Sequence, residues 1–133
     1  MGKTTEFEFT ARVAKEIRAT GALVFIMKGN ELQSGLPDRL VVSTVWSGFL
    51  EFKAAGGELR ANQRVLATDC ARRGFKVAVV SPDAVDERLA YVSPWPVDVS
   101  ELPPHGVSMT PSPFSVASNG AAILEFLRRY YGD

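Results

Sequence analysis

The sequence predicts an α/β fold in which a mixed sheet is flanked by helices. Apolar residues recur at helical spacing over residues 5–20 and 61–73. Short runs rich in Val, Phe, Ile and Leu have the length of strands, and they lie at 22–27, 40–42, 49–53 and 76–80. The resulting order is helix, strand, strand, strand, helix, strand. At 133 residues the chain has the size of one domain with a buried core.

The first helix begins after Thr4 or Thr5, either of which can cap it, and ends at Gly21. Its predicted core stripe consists of Phe9, Val13, Ala14 and Ile17. The run at 76–80 is continuously apolar, which predicts a strand that is buried on both faces.

The runs at 40–42 and 49–53 are predicted to form an antiparallel hairpin through a short turn at Ser47-Gly48. Side chains alternate along a strand, so Glu51 and Lys53 point to the same side. Asp38 stands just before the first of these runs, and the hairpin brings it toward Glu51 and Lys53. Two carboxylates at one edge of a sheet suit Mg²⁺ or Mn²⁺, and an adjacent lysine can position a water or stabilise charge on a phosphate.

Polar and basic side chains surround this cluster in the sequence. Gln63 lies in the first turn of the second helix, which directs its amide toward the end of the Glu51–Lys53 strand, where it can hold a water or a phosphate oxygen. The candidate contacts to nucleic acid are Lys28, Arg39, Arg60 and Arg64. Each also has an ordinary interpretation, as a solvated strand end or an ion-pair partner.

The C-terminal third differs in composition. Residues 82–90 are predicted to form a short helix containing Val85 and Leu89. Six of the eight prolines lie between 93 and 118, which predicts irregular structure there and makes His105 incidental. A last helix, capped by Ser118 or Asn119, is predicted to carry Ile123, Phe126, Leu127 and Tyr130 on one face. We therefore divide the chain into a core, 1–92, and an arm with a helix, 93–133, which belongs to the same domain or serves oligomerisation.

The charge and the cysteine content of the chain limit its possible functions and locations. The chain has 15 basic and 15 acidic residues, so it is not a simple basic nucleic-acid binder. Residues 1–80 nevertheless carry 12 basic against 8 acidic side chains, a net charge of +4, and this half contains the carboxylate cluster. The single Cys70, with no signal peptide and no long apolar run, predicts a cytoplasmic protein without a membrane segment.

These motifs resemble the PD-(D/E)XK nuclease superfamily and, within it, the small VRR-NUC nucleases. Pro37-Asp38 matches the P-D element, and Glu51-Phe52-Lys53 matches E-x-K. The Gly35-Leu36 opening, the Gly56-Gly57 turn and Gln63 are similar to the VRR-NUC pattern. The resemblance covers about residues 5–85 and implies a restriction-endonuclease-like core.

The resemblance implies a Mg²⁺- or Mn²⁺-dependent endonuclease. Asp38, Glu51 and the backbone carbonyl of Phe52 would bind the metal, Lys53 would orient the attacking water, and Gln63 would complete the catalytic set. An acid on the first helix is also implied, and Glu8 is the best match, ahead of Glu16 and Glu6. The implied substrate is DNA, structured or branched as in a four-way junction in phage or bacterial recombination and repair. Two opposed cuts in a junction favour a homodimer.

Three alternatives stay open at this stage. The enzyme could be of a restriction or nicking type. A non-catalytic DNA-binding module could share the fold, although such a module would be expected to have lost one of Asp38, Glu51 or Lys53. The match could also be an ordinary hairpin with a surface ion pair, which predicts neither metal binding nor affinity for nucleic acid.

Overall fold

The computed structural model describes residues 5–27, 37–55, 57, 59–95 and 115–131. In chain order the elements are α1 (Glu6–Ala19), β1 (Leu23–Ile26), β2 (Arg39–Val42), β3 (Gly48–Phe52), α2 (Ala61–Arg72), β4 (Val77–Pro82), β5 (Leu89–Trp95), β6 (Ser115–Ala117) and α3 (Gly120–Tyr131).

The six strands form one sheet in which spatial order follows chain order. β3 and β4 are parallel and are joined through α2, whereas every other neighbouring pair is antiparallel. A parallel pair needs a crossover, and the helical periodicity of residues 61–72 supplies it. The predicted α/β class, a mixed sheet flanked by helices, is therefore confirmed.

The helices lie on opposite faces of the sheet, and the alternation of β4 shows the division. Ala78 and Val80 join the core beneath α1 and α3. Val77 and Val79 face the other way and join a smaller cluster beneath α2. This strand is buried along its whole length, as its apolar run predicts.

α1 and α3, which lie on the same face of the sheet, are capped at their N-termini and are joined by a hydrogen bond. Thr5 Oγ1 accepts a hydrogen bond from Glu8 N at 3.0 Å, which caps α1 as expected. Glu16 Oε1 accepts a hydrogen bond from Gly120 N at 2.9 Å, at the start of α3. A Cβ on Gly120 would lie 2.6 Å from Ile17 N, so only glycine allows this close approach. Asn119 Oδ1 also caps α3 by accepting from Ala122 N at 2.8 Å.

The turn between β2 and β3 is built from serines. Ser43 Oγ accepts hydrogen bonds from Val45 N and Trp46 N at 3.1 and 2.9 Å. Gly48 then opens β3, and a Cβ there would lie 2.6 Å from the carbonyl oxygen of Lys76 and 2.7 Å from the Trp46 ring. The predicted hairpin exists, with Arg39 opposite Leu50 and Val41 opposite Gly48, but its turn covers residues 43–47, so Gly48 belongs to β3 and not to the turn.

The helix predicted at 82–90 is wrong. β4 continues to Pro82 and β5 begins at Leu89, with a turn between them. Asp83 Oδ1 accepts hydrogen bonds from Val85 N at 2.7 Å and Asp86 N at 3.0 Å. A side chain that bonds the main chain ahead of it can begin either a helix or a turn. Here the chain turns back into the sheet and leaves Val85 95% exposed.

Irregular structure was expected from 93 to 118, but β5 runs to Trp95 and β6 covers Ser115–Ala117. Pro94 lies within β5 opposite Ala78. Among the described residues, β6 pairs with residues 89–91 of β5 and no strand pairs with Pro94 on that side, which is compatible with its missing N–H. In α2, Gln63 and Ala67 are buried and Val65 is exposed.

Several predictions fall outside the described residues: Thr4, Lys28, the Gly35-Leu36 opening, Gly56, His105 and the proline-rich stretch 96–114. Across the described residues, none of the helices combines the length and the apolar character needed to cross a membrane.

Candidate metal centre

The hairpin places Asp38 and Glu51 beside each other. Arg39 lies opposite Leu50 in the antiparallel register, so Asp38 falls opposite Glu51, one residue beyond the last pair. Asp38 Oδ2 also accepts a hydrogen bond from Phe52 N at 2.8 Å. The carboxylate of Asp38 is therefore held at the edge of β3 by the main chain of the residue that follows Glu51.

Glu51 is buried, with only 4% of its surface exposed. Its Oε2 accepts a hydrogen bond from Gln63 Nε2 at 3.1 Å and lies 3.6 Å from Lys53 Nζ. Its Oε1 is buried and has no hydrogen-bond donor within the part of the chain that the structure describes. A buried carboxylate oxygen without a donor is costly, and it marks a position where a cation would be stabilising.

The electrostatics of Glu51 follow from this environment. Burial, reinforced by the neighbouring Asp38 carboxylate, raises the pKa of Glu51 to about 8, although Lys53 acts in the opposite direction. In the absence of a cation, Glu51 therefore keeps a proton at neutral pH. A divalent cation between the two carboxylates would displace that proton.

Gln63 organises the basic side of the cluster from the first turn of α2. Its Oε1 accepts hydrogen bonds from Lys53 Nζ at 2.9 Å and from Arg60 N at 2.8 Å. Its Nε2 donates to Glu51, so both ends of the amide are used. The sequence suggested that this amide could hold a water or a phosphate oxygen; in the structure it fixes Lys53 and Glu51 in relation to each other.

The residues present fit a hard divalent cation. Such ions prefer oxygen ligands, and the candidates are the Asp38 carboxylate, Glu51 Oε1 and the carbonyl of Phe52. The N–H and C=O of a strand residue point to the same side, so the Phe52 carbonyl is on the side of Asp38, which holds its N–H. Within the described ranges no group of three His, Cys, Asp or Glu side chains is gathered in one place.

The acids of α1 differ in their positions. Glu8 is exposed, and within the described residues its side chain has no hydrogen bond or ion pair with Asp38 or Glu51. Glu16 is used at the other end of the helix, where it pairs with Arg12 at 3.2 Å and caps α3. Glu6 lines a pocket of about 390 Å³ together with Asp38 and Arg39. Of these acids, Glu6 is the one that shares a cavity with the candidate centre.

The predicted basic contacts divide between the two faces of the sheet. Arg39 alternates away from Asp38, and its Nη1 donates to the Asp38 carbonyl at 3.0 Å. Arg60 and Arg64 lie at the start of α2, on the side of Glu51 and Lys53. Arg60 is exposed and Arg64 is partly exposed.

Sequence reasoning missed Ser81. β3 and β4 are parallel with Phe52 opposite Val80, so Ser81 lies beside Lys53 on the neighbouring strand. Its hydroxyl is fully buried and has no hydrogen-bond partner among the described residues. The position of Ser81 beside Lys53 follows from the register of β3 and β4, which are separated in the chain by α2. A local sequence pattern does not contain this register.

Comparison of the chain with protein-family models, with curated proteins and with solved structures found no match in any of the three.

Proposed function

We propose that the protein is a divalent-metal-dependent endonuclease that hydrolyses phosphodiester bonds of DNA, on a restriction-endonuclease-like core. The observation that carries this proposal is the Oε1 of Glu51, which is buried beside Asp38 without a donor. An ordinary surface ion pair would leave both carboxylates hydrated. A buried carboxylate next to a partly exposed one, with a lysine beside them, suits a cation and a phosphate.

The chain's residues have complementary roles in this proposal. Asp38, Glu51 and the Phe52 carbonyl would hold Mg²⁺ or Mn²⁺, which would polarise a phosphate oxygen. Lys53 Nζ is fixed by Gln63 at 2.9 Å and keeps further N–H donors for the attacking water or the phosphate. Water adds to phosphorus as the P–O bond of the leaving strand breaks, and the departing oxygen takes up a proton. Gln63 acts as a positioning residue.

The proposed substrate is branched or otherwise structured DNA such as a four-way junction. The proposed assembly is a homodimer that acts in recombination or repair in the cytoplasm of a bacterial or phage-infected cell. Both extensions rest on the resemblance of Pro37-Asp38 and Glu51-Phe52-Lys53 to the VRR-NUC pattern. A two-fold dimer places two centres for opposed cuts. Light scattering coupled to gel filtration tests the dimer independently of cleavage.

The deciding experiment is cleavage of labelled four-way junction, flap, single-stranded and duplex DNA with Mg²⁺ or Mn²⁺. Wild type is compared with Lys53→Ala and with Lys15→Ala, which removes an exposed lysine from α1. We expect metal-dependent cutting that is lost in Lys53→Ala and kept in Lys15→Ala. Equal cutting by the two variants, or no cutting of any substrate by wild type, would overturn the nuclease proposal.

Metal binding has its own test. Mn²⁺ should raise the melting temperature of the wild-type protein, because a ligand that binds only the folded state stabilises it. The increase should vanish in Asp38→Asn and in Glu51→Gln. If Mn²⁺ raised the melting temperature of both variants as much as that of wild type, the metal would bind elsewhere.

A further inference from the structure

Among the described residues, no helix packs over one half of the sheet on the face that carries Glu51. α2 packs on β4 and β5, whereas Leu23, Phe25 and Val42 of β1 and β2 are exposed on that side. Val24 and Val41 turn toward the core under α1 and α3, so the residues next to them in the strands point the other way. We call this surface the open face; its residues are Leu23, Phe25, Leu40 and Val42.

Apolar side chains lie in one row across β1, β2 and β3, with Leu40 between aromatic residues. Phe25 lies opposite Leu40, which lies opposite Phe49. The Phe49 ring meets Phe75 edge to face, with centroids 5.0 Å apart. Phe25 is 47% exposed and Phe75 is 41% exposed, so flat ring surface reaches solvent at both ends of the row. Large apolar rings exposed in a row on a sheet are a feature of binding surfaces.

This row is the direct neighbour of the candidate metal centre. Glu51 is two residues along β3 from Phe49 and points to the same side, and Asp38 lies beside Glu51. Two residues of a strand span about 7 Å. A nucleotide whose phosphate reaches Asp38 and Glu51 therefore has an adjacent base within reach of the rings.

Charge favours a nucleic-acid occupant of this face. Lys53 lies on the same side of the sheet as Glu51, next to the open face, and residues 1–80 carry a net charge of +4. Bases present flat surfaces that stack on aromatic rings regardless of sequence. Within a duplex those surfaces are covered by neighbouring base pairs, whereas an unpaired nucleotide leaves one uncovered.

We propose that the open face is a stacking surface on which Phe25 holds an unpaired nucleobase of the substrate, next to the phosphate that is cut. This inference rests on the proposed nuclease function and refines it: the substrate carries unpaired nucleotides beside the scissile phosphate. Leu40 separates the Phe25 ring from the Phe49 and Phe75 pair by two strand spacings, about 10 Å. The pair forms a second place for a base.

The test measures binding without chemistry. Fluorescence anisotropy in EDTA gives the affinity of the full chain for a labelled twelve-nucleotide oligothymidylate and for a duplex of equal length. The variants are Phe25→Ala, Phe25→Leu and Phe25→Trp. Ile26→Ala is the matched control, since Ile26 is the next residue, is 61% exposed and points to the other face.

We expect Phe25→Ala to weaken binding of the single strand by about 5- to 100-fold, the range for loss of one stacked base. Phe25→Leu should weaken it nearly as much, while Phe25→Trp and Ile26→Ala should retain wild-type affinity. Circular dichroism shows that each variant is folded. Equal affinity of Phe25→Leu and wild type, or no preference of wild type for single strand over duplex, would overturn the stacking surface.

Two further outcomes separate this proposal from its alternatives. If Phe25→Ala turns a dimer into a monomer and leaves oligothymidylate binding unchanged, the open face binds a second copy of the chain, and stacking is excluded. If the affinities change as expected but wild type cuts no DNA, the stacking surface stands and the nuclease proposal fails. If wild type cuts DNA but Phe25→Ala and Phe25→Leu bind oligothymidylate as tightly as wild type does, the nuclease proposal stands and the stacking surface is excluded.

Discussion

Asp38 Oδ2 accepts the main-chain N–H of Phe52 at 2.8 Å, and through this bond Asp38 is fixed beside the preceding residue, Glu51. The backbone of β3 thus determines how close two acids approach.

Asp38→Asn should separate folding from activity. The amide oxygen of asparagine can still accept from Phe52 N, and the like-charge neighbour of Glu51 is removed. We expect the melting temperature in metal-free buffer to be unchanged or higher, with DNA cutting reduced by about 100-fold or more through loss of a metal ligand. A variant that melts much lower than wild type would show that Asp38 has a structural role.

Stability of the metal-free protein should fall as pH rises. The pKa of Glu51 is about 8 in the folded protein against 4.5 for an ordinary glutamate, so between these pH values the folded state binds one more proton than the unfolded state. The free energy of unfolding should therefore decrease by a few kcal/mol from pH 5 to pH 8. Urea titrations across this range measure it, and Glu51→Gln should flatten the profile. If the free energy of unfolding had the same pH dependence in wild type and in Glu51→Gln, this dependence could not be assigned to Glu51.

Gln63→Leu should damage the centre without changing the charge of the chain. The substitution leaves Lys53 Nζ, Arg60 N and Glu51 Oε2 without the amide that contacts all three. We expect a loss of about 1–3 kcal/mol in stability from unpaired polar groups. Cutting should fall by about 10- to 100-fold, as for residues that orient metal ligands. Denaturant titration and single-turnover cleavage measure the two effects, and Gln63→Glu should restore part of the hydrogen bonding to Lys53.

The acids of α1 can be distinguished by paired variants. Both glutamates are exposed, but Glu6 lines a pocket with Asp38 and Glu8 does not line that pocket. We expect Glu6→Gln to reduce metal-dependent cutting more than Glu8→Gln, measured at limiting Mn²⁺. Greater loss in Glu8→Gln would assign the role to Glu8, as the family resemblance implies.

Gly48→Ala tests the packing of the hairpin that carries Glu51. The added Cβ would lie 2.6 Å from a main-chain oxygen of Lys76, so β3 and the strand beside it must separate. We expect a loss of about 2 kcal/mol. Gly74→Ala is the comparison: Gly74 has a φ of +80° and no atom near its missing Cβ, so backbone strain alone should cost about 1 kcal/mol.

The sequence predicts those features of the candidate site that depend on residues close together in the chain. Alternation along a strand was enough to place Glu51 and Lys53 on one side, and the short hairpin was enough to bring Asp38 next to them. The position of Ser81 beside Lys53 could not be derived, because the parallel register depends on how α2 packs. The helix expected at 82–90 is replaced by a turn, because the hydrogen bonds that Asp83 accepts from N–H groups ahead of it can begin either structure.

The core under β3 has a consequence for synthesis of the protein. Leu50 and Phe52, the neighbours of Glu51 in the chain, belong to the same buried core as Ile123, Leu124 and Leu127 of α3. A ribosome adds these residues well after Asp38 and Gln63, and domains generally fold as units during synthesis. The nascent chain therefore cannot stabilise its pair of carboxylates until α3 has emerged. An unfinished chain would be without the centre that we assign to the cleavage of DNA.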